Sequence, residues 1–509
     1  MAKTAKPPVE TELKLALTEA GFEALSRHAV FRAAPAVPRH EITTYFDTAD
    51  QRLRRRGYSL RVRRSGSRFI QTVKAAGPAA VAAQRNEWEW PIGGEEPELA
   101  PLKEAVLGRK WPPLKAGEIA PVLVTDIRRA VRDLHLPDGA VAEAAMDQGV
   151  IVAGQHRAAV RELELELRDG PPGPLYRLAI ELHAEHPLEI APESKAARGY
   201  RLGTDLCPET VKAGRPELGK SVTAAQAFAG ATTIALGQLL ANMPAAAAGA
   251  AEGVHQMRVA IRRLRAALLL FRPCLEPHAR RRFEAELRRL GRVFGETRDW
   301  DVFCLEVLAD ATTDQASNGW ASLLVPAARD RRREAHAAFA TALHAPAFTA
   351  LTLGLAAWAE DGRDRPALLG APALERKLTR LTPRLLDRLA RKVDRRGRHI
   401  ATLAGPELHA LRKSLKKLRY GIDCVATLYP KKAVKGYVRA CKELQQALGD
   451  INDTSMALAL ADHLTEGERA DLAPAVAALA HHLAGRRQRA FEHLGRAWGE
   501  FTGAERFWC

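Results

Sequence analysis

Up to about Gly203 the apolar residues of this chain recur at every second position, whereas beyond about Gly219 they recur every three to four. No single layer of structure satisfies both periods, because alternation suits a strand with one buried face and the longer period suits an amphipathic helix. The first pattern predicts strands at 9–17, 41–47, 58–64, 69–74, 84–91, 122–130, 141–152 and 159–167, with helices at 22–28, 99–107 and 174–185. A polar stretch at 206–220, broken by Pro208, Pro216, Gly214 and Gly219, reads as a linker. At 509 residues the chain exceeds one ordinary core. The expected architecture is α+β and multidomain, with a strand domain at 1–205 and an all-α domain at 221–505.

The helical part contains a duplication. His255-x-x-Arg258-x-x-x-Arg262-Arg263-Leu264-Arg265 returns 154 residues later as His409-x-x-Arg412-x-x-x-Lys416-Lys417-Leu418-Arg419, and the same offset carries Gly295 and Asp299 onto Gly449 and Asp453. One register for two separated motifs predicts two similar bundles of roughly four helices, about 221–365 and 370–505, related by a pseudo-twofold axis.

Charge follows the same division. Residues 1–203 hold 30 Lys+Arg against 27 Asp+Glu, and residues 204–509 hold 47 against 33, so the surplus is +3 in the first part and +14 in the second. A field of that sign draws polyanions without choosing among nucleic acid, anionic membrane and polyphosphate. Aromatic residues are 6% of the chain and none interleaves with the basic rows, which speaks against single-strand nucleic-acid binding. The apolar run at 224–251 is interrupted by Gln226, Thr232, Thr233, Gln238, Asn242 and Pro244, and is expected to fall short of a membrane span. Six scattered cysteines without CxxC spacing suit a reducing compartment, and no apolar leader opens the sequence, so a cytoplasmic location is expected.

In a strand, alternate side chains share a face. Glu10, Glu12 and Lys14 therefore point one way, and the same geometry aligns Arg61 with Arg63, Arg85 with Glu87 and Glu89, and Glu162 with Glu164 and Glu166. Each segment alone is an ordinary amphipathic strand with its charges in water. Together they suggest a shared lumen, where carboxylates hold hard divalent cations and guanidiniums hold phosphate oxygens. Burying so many charges is costly unless metal and anion compensate them.

These segments, with Tyr45-Phe-Asp-Thr48, Thr72-Val-Lys74 and Ser194-Lys195-Ala-Ala-Arg198-Gly-Tyr200, resemble the CYTH, or triphosphate tunnel metalloenzyme, family. The resemblance implies a closed eight-stranded antiparallel tunnel barrel with flanking helices that hydrolyses a triphosphate with Mg²⁺ or Mn²⁺. It implies that Glu10, Glu12, Glu164 and Glu166 bind metal, with Glu162 at the edge of that set. Lys14, Arg61, Arg63, Lys74, Arg85, Lys195 and Arg198 would hold phosphates, with either Arg128 or Arg129 supplying another contact. Glu87 and Asp147 would position metal or orient the attacking water. No Cys, Ser or His stands in a nucleophile constellation, so direct attack by water is expected.

In the helical part, at about 100° per residue, His255, Arg258, Arg262 and Arg265 fall within an arc of roughly 80°, as do His409, Arg412, Lys416 and Arg419. A solvated basic face is the ordinary reading of one such helix, but repetition of the row with its histidine argues for a polyanion. Asp299 and Asp453 are expected to orient helix ends and basic side chains. This half resembles the CHAD, or conserved-histidine α-helical, domain. That resemblance implies inorganic polyphosphate binding through these rows, including Arg263 and Lys417. The expected function is an inorganic triphosphatase cleaving tripolyphosphate to pyrophosphate and phosphate, with a polyphosphate-binding helical domain. The alternative is a polyphosphate-binding, granule-associated protein with little or no turnover. Neither nucleic acid nor membrane is an expected partner.

Overall fold

The computed structural model describes residues 9–509 except 76, 78–80, 100–110, 113, 116, 204–206, 213, 315–316 and 467–468. The helix expected at 99–107 thus lies outside the described residues. The chain condenses into two units. One gathers the residues up to Val211 together with Leu236–Ala248 and His344–Glu360; the other comprises Lys212–Ala235, Gly249–Leu343 and Asp361–Cys509.

The first unit is built on β1 (Val9–Ala16), β2 (Val37–Thr48), β3 (Tyr58–Ser65), β4 (Arg68–Ala75), β5 (Ala83–Ile92), β6 (Ile119–His135), β7 (Val141–Ala153), β8 (His156–Asp169) and β9 (Glu189–Ile190). The strand order is β5-β4-β3-β2-β6-β7-β8-β1-β9, and a further β1–β5 pairing closes the first eight strands into an antiparallel barrel. The ninth strand was not expected. It is two residues long and pairs with the end of β1, too short to leave a periodic signal.

Flanking helices are α1 (Glu19–Ser26), α2 (Ala29–Arg32), α3 (Arg52–Arg55), α4 (Gly173–Glu185) and α5 (Lys195–Leu202). The barrel is charged inside and apolar outside. Leu13, Leu15, Leu163 and Leu165 are fully buried on the strand face opposite Glu12, Lys14, Glu162 and Glu164. A slip of one residue would send these leucines into the lumen, and that fixes the register. On another side Leu60, Val62 and Val73 pack with Phe46, Leu53 and Leu114.

Two motif residues that carried no predicted chemistry explain how α5 is held. Asp47, fully buried, accepts the backbone N–H groups of Thr48, Leu53 and Arg54 at 2.7–3.0 Å and the Tyr200 hydroxyl at 2.9 Å. It thereby fastens α3 and α5 to the end of β2. Burial and the neighbouring Asp47 carboxylate push the Tyr200 phenol well above its ordinary pKa. Gly199 allows the close approach, since a Cβ there would meet the Leu123 side chain at 2.7 Å. Asp47→Ala strands four donors and is expected to cost about 3 kcal/mol or more, whereas Tyr200→Phe should cost about 1–2 kcal/mol. Urea denaturation of the two variants checks the ranking.

The helical elements are α6 (Ala224–Ala241), α7 (Met243–Ala247), α8 (Ala251–Leu270), α9 (Pro277–Val302), α10 (Leu308–Thr313), α11 (Asn318–His344), α12 (Pro346–Asp364), α13 (Leu378–Gly397), α14 (Gly405–Asp423), α15 (Lys431–Leu464) and α16 (Ala473–Gly503). The duplication is visible in their boundaries: α13, α14 and α15 each begin 154 residues after α6, α8 and α9. The copies differ where a π-turn, Phe303–Val307, separates α9 from α10 while α15 runs unbroken.

The helical stretch over residues 224–247 is, against expectation, long and apolar enough to cross a membrane by length and composition. Even so, 72% of its apolar window is buried inside the protein. One of its polar interruptions is absorbed by partners: the Asn242 amide exchanges 2.9 Å bonds with the Val211 backbone and donates to the Gln238 carbonyl at 2.7 Å.

Candidate functional site

The barrel encloses a cavity of about 340 Å³ lined almost entirely by charged side chains. Strand alternation delivers them. At its centre Glu164 accepts from Lys14 Nζ at 2.7 Å, Lys195 Nζ at 2.7 Å and an Arg129 guanidinium nitrogen at 2.5 Å. Lys14 also bonds Glu12 at 2.7 Å. Burial alone would raise the Glu164 carboxyl, but Lys14, Lys195 and Arg129 outweigh it and hold it well below the ordinary carboxylate range. Conversely, burial would lower Lys195, yet Glu164, Asp147 and Glu162 hold its ammonium well above the usual lysine value.

On the facing wall Glu87 lies between Lys74 at 2.8 Å and Arg61 at 3.3 Å, and Arg63 meets Glu89 at 3.3 Å. Arg168 bridges Glu166 at 2.6 Å and Glu143 at 2.7 Å. Cations and anions thus meet as mutually neutralising pairs, which offsets the cost of so charged an interior.

Of the residues singled out from the sequence, Glu12, Lys14, Arg61, Arg63, Lys74, Glu87, Arg129, Glu164, Glu166 and Lys195 line this cavity. Arg129 also holds Asp147 with two bonds of 2.6–2.7 Å. Its neighbour Arg128 lies exposed, as the two-residue pleat requires, so of the two it is Arg129 that lines the cavity. Asp147 and Glu162 stand behind the lining: they are 0% and 1% exposed and accept from Lys195 at 2.8 Å each. Arg198 is drawn away from the cavity onto Glu162 and the Ala159 carbonyl. Glu10 and Arg85 are paired across β1 and β5, but their side chains lie outside the described residues.

The cavity also includes Arg39, Glu41, Tyr45, Glu89, Glu143 and Arg168, to which no site role was given. The parity of Glu89, Glu143 and Arg168 within β5, β7 and β8 matches that of the assigned residues and would have found them, whereas β2 held no assigned residue to set a parity for Arg39, Glu41 and Tyr45.

Oxygen-only donors suit Mg²⁺ or Mn²⁺. Glu12 and Glu164 already converge on one cation, the Lys14 ammonium, at 2.7 Å each. The donor chemistry therefore fits a hard divalent ion. Among the described residues no group of three or more acids, histidines or cysteines is gathered around a single ion position.

The helical unit carries a second charged cavity, of about 1340 Å³. Arg258, Arg262 and Arg265 from α8 line it together with His409, Arg412, Lys416 and Lys417 from α14, so the two repeats of the basic row face one space. Asp299 holds Arg258 at 2.7 Å and Asp453 holds Arg412 at 3.4 Å, orienting basic side chains. Between them stands Lys416, whose ammonium is pushed down to about 6 by burial and by Arg262, Arg412 and Arg258. His409 faces the cavity, its Nδ1 2.7 Å from the Asn452 Oδ1.

Three residues of the predicted rows do not line this cavity. Arg263 projects past the arc and bonds the Gly214 carbonyl at 3.1 Å. Arg419 is captured by Asp423 at 3.1 Å and Gln445 at 3.0 Å and stacks on Tyr420. The position matching Asp423 in the first copy is Leu269, so Arg265 has no such captor one turn on. His255 sits apart too; burial and then Arg298 lower its pKa.

The CYTH domain family model matches residues 9–200 and the CHAD domain model residues 230–462. An inorganic triphosphatase from Haemophilus influenzae is 29% identical over 198 residues, which are 38% of this chain and 55% of that protein; the match spans about half the relative's length. The crystal structure of the CHAD domain from the plant Ricinus communis aligns with a TM-score of 0.51 at 24% identity, over 59% of this chain and 98% of that one, a likeness of fold.

Proposed function

The chain joins a CYTH domain to a CHAD domain, and on that premise we propose that it is a metal-dependent inorganic triphosphatase that cleaves tripolyphosphate to pyrophosphate and phosphate, with a helical domain that holds polyphosphate. The observation that carries this reading is the lumen itself, where Lys14, Arg61, Arg63, Lys74, Arg129 and Lys195 surround one cavity with Glu12, Glu164 and Glu166 among them.

A phosphate chain entering the lumen would exchange each cation's carboxylate partner for phosphoryl oxygens. Glu12, Glu164 and Glu166, freed in part, would hold Mg²⁺ or Mn²⁺, which supplies neutralisation of charge developing on the transferred phosphoryl group. Lys195 and Arg129, fixed from behind by Asp147 and Glu162, keep their orientation throughout. Asp147 acts by positioning these two cations, because it is fully buried. Glu87 lines the lumen and would orient water. A cytoplasmic site of action goes with this reading.

Glu12→Gln is expected to lower phosphate release from tripolyphosphate by about 10²-fold or more in Mg²⁺ or Mn²⁺. Unchanged release would overturn the mechanism. A second reading is polyphosphate binding with negligible turnover: Glu12 and Glu164 both hold the Lys14 ammonium at 2.7 Å, which engages carboxylates that a divalent ion would need. It predicts retained polyphosphate binding with no hydrolysis across a panel of triphosphates.

A further inference from the structure

One support of the lumen comes from far outside the strand domain's own sequence. We propose that His183 is a positioning residue for triphosphate hydrolysis: its ring anchors β9, which keeps Lys14 beside that strand and Lys195 just after it in place, and the Pro346 carbonyl at the start of α12 fixes the tautomer that lets it do so. This rests on the reading of the lumen as a triphosphatase site.

One edge of β1 is covered by β8 along residues 11–16. On the other edge β5 covers residues 9–12 and β9 covers Leu15 and Ala16, so Lys14 stands where one partner gives way to the next. The Ala191 N–H closes that gap by donating to the Lys14 carbonyl at 2.9 Å. A strand of two residues makes few bonds of its own, and β9 therefore depends on what grips its ends. After it, Ser194 caps α5 by accepting from the Ala197 N–H at 3.2 Å, and the next residue, Lys195, reaches Asp147, Glu162 and Glu164. Before it, the buried Leu188 donates its N–H to His183 Nδ1 at 3.0 Å.

His183 lies in the last turn of α4 and is itself buried. Its Nε2 is 2.9 Å from the Pro346 carbonyl oxygen. A carbonyl only accepts, so Nε2 carries the proton and Nδ1 is left as the acceptor that Leu188 requires. The opposite tautomer would set two N–H groups against each other and strand a buried donor. Pro346 is the first residue of α12, and His344–Glu360 condenses with the barrel strands in the first unit. His344 adds to the same support, its Nδ1 3.0 Å from a Glu189 carboxylate oxygen on β9. A segment that the sequence places deep in the helical part thus steadies two lysines of the lumen.

The test uses the full chain with two substitutions. His183→Leu keeps the bulk and loses both bonds, whereas His183→Asn sets an amide oxygen near the place of Nδ1 and still accepts from Leu188 without needing Pro346. In steady-state hydrolysis of tripolyphosphate at saturating Mg²⁺, His183→Leu is expected to raise KM at least about fivefold with kcat within about twofold of the parent, because Lys14 and Lys195 hold phosphate before and during the reaction alike. His183→Asn should return KM to within about twofold of the parent. If His183→Leu does not fold, His183→Gln, which reaches Pro346 but not Leu188, takes its place with the same expectation. A histidine that serves only folding would change the active fraction, and so lower kcat at an unchanged KM. That pattern, or an asparagine variant no better than the leucine one, overturns the proposal. If the parent turns nothing over, the Kd for tripolyphosphate measured by calorimetry stands in for KM. A parent that neither cleaves nor binds tripolyphosphate overturns the reading of the lumen, and this proposal with it.

Discussion

Glu164→Ala should lower the stability of the barrel by about 3–5 kcal/mol and take triphosphate hydrolysis with it. The carboxylate is the common partner of Lys14, Lys195 and Arg129. Removing it leaves three cations converging on an enclosed cavity, with Glu12, Asp147, Glu162 and the more distant Glu41 to share among them. The loss should be visible as a reduced midpoint in urea, and Glu164→Gln, which keeps the shape and loses the charge, should fall between parent and alanine variant. The pH dependence has a defined sign. A carboxyl held below its unfolded value contributes stability that is present above that value and is lost as pH falls through the folded one. Acid unfolding of Glu164→Gln should therefore be shallower than that of the parent below the ordinary carboxylate range. Equal urea midpoints for parent and alanine variant would show that the paired interior is not what sustains the barrel.

Polyphosphate affinity of the helical domain should fall as pH rises above about 6, by up to about tenfold per unit, because binding takes up one proton at Lys416. The charged groups acting on that ammonium are Arg262 and Arg258 from α8, Arg412 from α14 and Asp453 from α15. Burial dominates the depression, and the three arginines add to it. A phosphate chain reverses the balance by placing anionic oxygens among these cations, which returns the lysine toward its ordinary value. Uptake is therefore confined to the window between the two values. Stability of the unliganded protein runs the opposite way: the unfolded chain binds the proton that the native site refuses, so stability rises with pH across that window. Calorimetric titration in two buffers of different ionisation enthalpy measures the uptake directly. In Lys416→Arg, which stays charged, the affinity should lose its pH dependence. A parent profile as flat as that of the arginine variant would remove the linkage.

Much of the molecule was legible from spacing alone. Alternation assigned Glu12, Lys14, Arg61, Arg63, Glu164 and Glu166 to one side of their strands, and the cavity collects them. The duplicated motif placed His255 and His409 on matching helices whose starts keep the offset of 154. What spacing could not reach was the partner of each charge. Arg198 shared every sequence credential of Lys195, yet it turns to Glu162 behind the wall. Arg265 and Arg419 occupy the same place in their repeats, and a single acid one turn on, Asp423, removes the second from the cavity.

The sequence by itself determined the two hydrophobic periods, the polarity of each strand face and the repeat, because these depend on backbone geometry that any chain shares. Only the tertiary structure decided which polar groups meet: Asp47 with Tyr200, Arg129 with Glu164, Arg419 with Gln445. A side chain's direction within its face is set by the nearest opposite charge or the deepest burial on offer, and both come from elements far away along the chain.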